Sequence, residues 1–152
     1  VMGFMFPGDF LGISVSDEHA FTAEALADTH MCRFGRGRFD DFVEEHPELE
    51  RQLYSLAAHE LAAAQAQMVL LGRKSAAERL ATFFLDLAQR RERVEKQSVS
   101  VIDLPMSRSD IADYLGLTKE TVSRVLAQLK RRRLIRLVTL NRIEILDREG
   151  LD

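Results

Sequence analysis

The chain has 152 residues, 46% of them hydrophobic, with a net charge of -3 and a single cysteine. That length makes about one and a half domains with a core of real size, and no stretch is apolar enough for a membrane span. One cysteine excludes an intramolecular disulfide and fits a reducing cytoplasm, and an N-terminus without a basic region, broken by Gly3, Pro7, Gly8 and Asp9, does not read as a signal peptide.

In chain order, Val1 to Phe6 is apolar, Pro7-Gly8-Asp9 is a turn signal, and Phe10 to Val15 is apolar again, which predicts strand, tight turn, strand. Ala20 to Leu26 and His30 to Phe34 read as two more strands. Four strands are too few for a closed barrel, so residues 1–46 are expected to be the C-terminal part of a β domain whose N-terminal half lies outside these residues. Cys32 is expected to be a small buried residue, as free cysteines usually are. His30 lies on the same face of its strand, but one His and one Cys make a poor metal site; His19, His46 and His59 are scattered and read as surface or interface residues.

After Arg38 the pattern turns helical, with Phe39, Phe42 and Val43 forming one apolar turn. A long helix begins near Pro47, where proline suits a first turn, and spans 47–72. Along it Tyr54, Ala57, Leu61, Ala64, Met68 and Leu71 recur at alternating steps of three and four, an uncharged coiled-coil seam that predicts a homodimer. Leu49, Leu53 and Leu56 form a second apolar face; two faces need two partners, which disfavours a single buried helix in a monomer. Gly72-Arg73-Lys74 breaks the helix, and Ser75-Ala-Ala-Glu78 is a capping box that opens another, running through Arg91, with Arg79 as a polar anchor beside Leu80, Phe83, Phe84 and Leu87. Gln89 to Gln97 reads as a solvated connector and Val99 to Leu104 as a short strand.

The most informative stretch runs from Arg108 to Leu126. It places a helix, a glycine turn and a second helix, with Ala112 small enough for two helices to cross closely, Gly116 free to take the positive φ of the turn, and Val122 and Val125 pointing back into the pair. Thr118 is an N-cap, with Thr121 three residues later. The second helix then exposes Lys119, Glu120, Ser123 and Arg124, the groups that read base edges: Arg donates two parallel hydrogen bonds to guanine, Glu accepts from amino groups, and Ser adapts to either. From Met106 to Arg136 eight Lys or Arg stand against three Asp or Glu, a local balance of +5 within an acidic chain, so phosphate contact belongs to this module. Lys130-Arg-Arg-Arg133 ends the second helix, where cations also suit the helix dipole. Leu134 to Leu140 and Ile143 to Leu146 read as strands joined around Asn141-Arg142, a wing whose tip is placed to touch phosphate. A plain helical hairpin with a solvated polar face is the alternative; the spacing of the small residue, the glycine, the β-branched pair and the following basic run and hairpin all favour the DNA reader. No Ser/His/Asp set, phosphate loop, paired carboxylates or metal-ligand cluster suggests an enzyme.

The stretches Pro-Gly-Asp-Phe-Leu-Gly12, Cys32-Arg-Phe, Gly72-Arg-Lys-Ser-Ala-Ala-Glu-Arg-Leu-Ala81, Met106 to Thr118 and Glu120-Thr-Val-Ser-Arg124 together resemble the cyclic-AMP receptor and fumarate-nitrate regulator (Crp/Fnr) superfamily, in its FixK- and FNR-type branch, over the entire chain. The resemblance implies an α+β fold: a partial β jelly-roll sensor domain (1–46), a dimerisation helix (47–72) and a C-terminal winged helix-turn-helix (73–152). It further implies that Glu120, Ser123 and Arg124 read a TTGA-type half-site in double-stranded DNA and that Ser107, Arg108 and Thr118 hold phosphates. Lys119 stands where the branch usually has an aliphatic residue and adds a phosphate or base contact; Lys130 and Arg142 are further phosphate candidates. The same resemblance implies a cytoplasmic regulator that meets RNA polymerase and controls oxygen-responsive or microaerobic genes. Cyclic-nucleotide members use a Gly-Glu sequence and an Arg-Ser pair, whereas Gly12 to Thr22 here offers no arginine to a phosphate, so cyclic AMP is not expected. In iron-sulfur members a cysteine in the strand of Cys32 joins three from an N-terminal segment on a [4Fe-4S] cluster, so the alternative is an FNR-type redox sensor whose cluster needs ligands beyond this chain.

Overall fold

The computed structural model describes residues 1–12, 18 and 21–151. It divides into two compact units, residues 1–27 with 74–152, and Asp28–Arg73.

The second unit is a helical pair. Helix α1 (Arg36–Glu45) ends where His46 leaves helical geometry, and α2 (Pro47–Arg73) begins at the expected proline and runs 27 residues. Leu49, Leu53 and Leu56 are half-buried along α2, while Tyr54, Leu61 and Met68 are 80%, 61% and 67% exposed. Ala57, Ala64 and Leu71 are also exposed, so the structure gathers the whole predicted seam on an uncovered face.

The first unit is built on α3 (Ala76–Glu95), whose N-terminus is closed by the predicted capping box: Glu78 N–H donates to Ser75 Oγ and Ser75 N–H to Glu78 Oε2, at 3.4 and 2.7 Å. The helix runs to Glu95, past the expected end at Arg91, so most of the supposed connector is helical. The cause is local: Arg91 and Glu95 pair one turn apart at 2.5 Å, and Lys96 caps the end in a left-handed conformation at φ 55°. Strand β1 (Val101–Asp103) leads to α4 (Arg108–Tyr114) and α5 (Lys119–Arg131), then to β2 (Ile135–Thr139), β3 (Arg142–Ile145) and a 3₁₀ turn, Glu149–Leu151. The strands form one antiparallel sheet in the order β1-β3-β2, with Ile102 opposite Ile143 and Leu137 opposite Ile143 from the other side. Leu80, Phe84, Ile102, Ile111, Leu115, Val122, Ile135 and Ile143 are essentially solvent-free and make one core between the sheet and the three helices.

Glu92 on α3 clasps the segment after β3. Its carboxylate accepts from both terminal nitrogens of Arg148, at 2.7 and 3.0 Å, and from Val99 N–H at 3.0 Å. Arg148 first, and the Val99 amide second, lower its pKa from an ordinary 4.5 to about 2. A group whose folded pKa is depressed stabilises the fold above its unfolded pKa and loses that contribution as pH falls through the folded value. Urea midpoints measured from about pH 5 down to about pH 2 are therefore expected to fall less steeply in Glu92→Gln than in the parent chain.

The N-terminal residues correct the sequence reading. Val1 to Phe6 and His30 to Phe34 form no strand, nor do the described parts of Phe10 to Val15 and Ala20 to Leu26; residues 13–17, 19 and 20 of those predictions lie outside the described residues. A strand is held by a neighbouring strand, and the sheet among the described residues is β1-β3-β2, which includes none of these segments. The turn between the first two is present: Gly8 takes φ 95°, Asp9 N–H donates to Phe6 O at 3.0 Å, and Phe6 N–H donates to Asp9 Oδ2 at 2.9 Å. Instead of pairing, this segment packs by side chain, with Phe4 5.9 Å from Phe83 and 5.2 Å from Tyr114, ring to ring. Arg90 meets it with its guanidinium 5.4 Å from the Phe6 ring centre and 3.2 Å from Asp9 Oδ2. Cys32 is exposed rather than buried, because its strand is not formed and no sheet face covers it.

Candidate nucleic-acid interface

Helix α4 starts at Ser107, the N-cap, in a second capping box the sequence reading did not pick out. Asp110 N–H donates to Ser107 Oγ at 3.2 Å and Ser107 N–H donates to Asp110 Oδ2 at 2.8 Å, bonds that hold the Asp110 carboxyl below its usual range. The serine and an acid three residues on were visible in the sequence; an Asp where the motif favours Glu hid them. The helix ends where Leu117 N–H reaches back to Ala112 O at 2.8 Å and Gly116 takes φ 60°, the positive value expected of it. Thr118 then caps α5, accepting from Thr121 N–H at 3.2 Å.

Helix α5 is two-faced. Val122, Val125, Leu126 and Leu129 are buried, and Ala112 is buried on α4, so the close crossing predicted from these residues is present. Lys119, Glu120, Ser123 and Arg124 all lie exposed on α5. Their hydrogen bonds are local. Ser123 Oγ donates to Lys119 O at 2.9 Å, Arg124 Nη2 donates to Thr121 Oγ1 at 3.3 Å, and Thr118 Oγ1 donates to Thr121 Oγ1 at 3.0 Å. Thr121 thus receives both its cap neighbour and the arginine one turn on, a role that the sequence alone did not assign.

Lys130 is exposed in the last turn of α5, and Arg133 beyond it takes φ 59°. The hairpin of β2 and β3 turns at Leu140 and Asn141, with Leu140 87% exposed. Arg108, half-buried at the start of α4, donates from Nη2 to Leu140 O at 2.9 Å and so fastens the wing tip to the reading pair. Its Nη1 is buried with no protein acceptor, and burial pulls the guanidinium below its ordinary pKa while leaving it charged. Arg142, predicted at the wing tip, is the first residue of β3 and already has a carboxylate: its Nε lies 2.6 Å from Asp103 Oδ1, while Arg91 Nη1 holds the other oxygen at 2.9 Å. Between these two arginines, Arg142 first, the Asp103 carboxyl is held low.

Among the described residues, no three His, Cys, Asp or Glu side chains converge as metal ligands. Cys32 is one thiol, so these residues do not make the site of a [4Fe-4S] cluster. The stretch weighed for cyclic nucleotides lies mostly outside the described residues. No helix among the described residues is long and apolar enough to cross a membrane.

A helix pair with a glycine turn, a polar face on its second helix and a hairpin wing fastened beside it define a winged helix-turn-helix. Residues 78–152 match the family model of the Crp-like helix-turn-helix domain. The chain is 47% identical over 131 residues to the nitrogen fixation regulation protein FixK of Bradyrhizobium diazoefficiens, a match covering 86% of this chain and 55% of the relative. It is 41% identical over 152 residues to the transcriptional activatory protein AadR of Rhodopseudomonas palustris, covering 100% of this chain and 63% of the relative. The solved structure of FixK2 from Bradyrhizobium japonicum superposes with a TM-score of 0.68 at 39% identity, over 76% of this chain and 56% of that one. This chain belongs to the Crp/Fnr superfamily of transcription regulators, in its FixK- and FNR-type branch. It spans 55% and 63% of the length of the two curated relatives named, both of which are regulators and not enzymes.

Proposed function

We propose that this chain is the DNA-reading and pairing part of a cytoplasmic homodimeric transcription regulator that recognises a palindromic TTGA-type site. The observation that carries the reading is α5 itself: its apolar residues are consumed by the core while Glu120, Ser123 and Arg124 stand exposed. Ser107, Arg108, Thr118, Lys119, Lys130 and Arg142 serve as phosphate or auxiliary contacts around it. Arg108 would reach a phosphate only by turning outward, since its Nη1 is buried and its Nη2 is held by Leu140 O. Arg142 does so only by sharing itself with Asp103.

The uncovered row from Tyr54 to Leu71 supports pairing of two copies, which sets two recognition helices about 34 Å apart on one face of DNA. Residues 1–46 then close the sensor domain, 47–72 form the dimerisation helix and 73–152 the reader. Control of oxygen-responsive or microaerobic genes, with RNA polymerase as the further partner, follows from membership of the branch, and the reading assigns no cofactor to these residues.

Titration of the full-length protein against a TTGA-type palindrome and a scrambled duplex, at one fixed salt concentration, tests this. The palindrome is expected to bind roughly 10³-fold or more tightly, by a species that sediments as a dimer; equal affinities, or a monomer on the palindrome, overturn it. Lys130→Ala is expected to weaken both duplexes alike and to reduce the slope of log K against log salt by about 1.

A further inference from the structure

We propose that Arg79 is a positioning residue for the recognition helix, its guanidinium tying the start of the DNA-reading segment to the turn between α4 and α5. Arg79 Nε donates to Lys74 O at 2.9 Å, and Nη1 donates to Leu115 O at 3.0 Å with Gly116 O at 3.5 Å. The acceptors belong to two parts of the chain some 40 residues apart, one just after the last residue of α2 and the others at the end of α4.

Each part of this geometry has a physical reason. The last carbonyls of a helix have no partner inside it, and a cation there also suits the helix dipole, so Arg79 meets both needs at α4. Guanidinium donors lie in a rigid plane at fixed angles, so two groups bonded to one guanidinium are fixed relative to each other. Arg79 itself stands one turn inside α3, directly behind the capping box, on a stiff element. Only Leu117 and the cap Thr118 separate the last of the arginine's acceptors, Gly116, from α5, so the angle at which α5 is presented depends on carbonyls that Arg79 holds. A chain entering at Lys74 is thereby joined to the recognition helix through one side chain.

The inference rests on the DNA-reading assignment, and its test separates the two. In the full-length protein, Arg79→Lys keeps the cation but not the fork, and Arg79→Met removes both. Each is expected to lose roughly 10-fold in affinity for the palindrome and less than about 2-fold for the scrambled duplex at the same salt. Hydrogen exchange at Leu117 N–H, bonded to Ala112 O, should quicken by about 10-fold, while Ile145 N–H, bonded to Ser100 O in the sheet, keeps its parent rate. Equal loss on both duplexes, or Leu117 and Ile145 quickening together, would mean that Arg79 merely stabilises the fold and overturns the proposal. Should Arg79→Met fail to fold, Arg79→Lys decides. A parent protein that prefers neither duplex overturns the DNA-reading assignment instead, and the exchange rates then judge Arg79 as an anchor of the turn.

Discussion

Replacing Arg124 with alanine is expected to cost roughly 1–3 kcal/mol on the matched palindrome, about 5- to 150-fold in affinity, and much less on a scrambled duplex. The asymmetry is the point. A guanidinium that contacts phosphate adds the same energy on any sequence, whereas one that donates in parallel to a guanine edge adds it only where that guanine is present. Arg124 is suited to the second role because its side chain is already leaned on Thr121 Oγ1, 3.3 Å away, and Thr121 is held in turn by the Thr118 cap. Less rotamer freedom is then lost on binding than a free arginine would lose. The fold should be indifferent to the change, within about 0.5 kcal/mol, because the residue is exposed and contributes nothing to the core. Paired titrations on both duplexes give the answer, and equal losses would refute base reading by this residue.

Phe84→Ala is expected to be the most damaging single change to the fold, destabilising the unit by about 3–5 kcal/mol. Phe84 is fully buried on α3, 5.9 Å from the Phe83 ring centre to centre, and is the largest of the solvent-free side chains. Removing it loses the transfer energy of a whole ring and leaves a cavity in a close-packed core that relaxes only in part. Because a domain of this size has only about 5–15 kcal/mol in hand, the unfolded fraction rises steeply. Urea denaturation should show a lower midpoint with an unchanged slope; a midpoint within experimental error of the parent would mean the core is not organised around this residue.

What could be read in advance follows from how local each determinant is. The Ser75 and Thr118 caps, the positive φ of Gly116 and the burial of Ala112, Val122 and Val125 depend on residues within one or two turns, and all are present. The helical end of α3 is also local: the charges of Gln89 to Gln97 suggest a solvated connector, but Arg91 and Glu95 lie one turn apart and pair along a helix. The first strands failed for the opposite reason. A short apolar run describes only one edge of a ladder, and a β segment is held extended by the strand that pairs with it. Arg79 shows the same limit at the site: its helix position was legible as a polar anchor, yet nothing in the sequence says that its acceptors are Leu115 and Gly116.

The order β1-β3-β2 sets a schedule for synthesis. Asp103 leaves the ribosome 39 residues before Arg142, the residue that pairs with it, and at translation rates of 5–20 residues per second that gap lasts about 2–8 s. Helices α4 and α5 emerge within that interval, ahead of the strand that seals the sheet, and a ribosome that stalls just after Arg131 leaves β1 uncovered and the wing unmade. Such a fragment carries both helices of the winged helix-turn-helix but not the sheet that frames them, which leaves apolar core surface open to proteases.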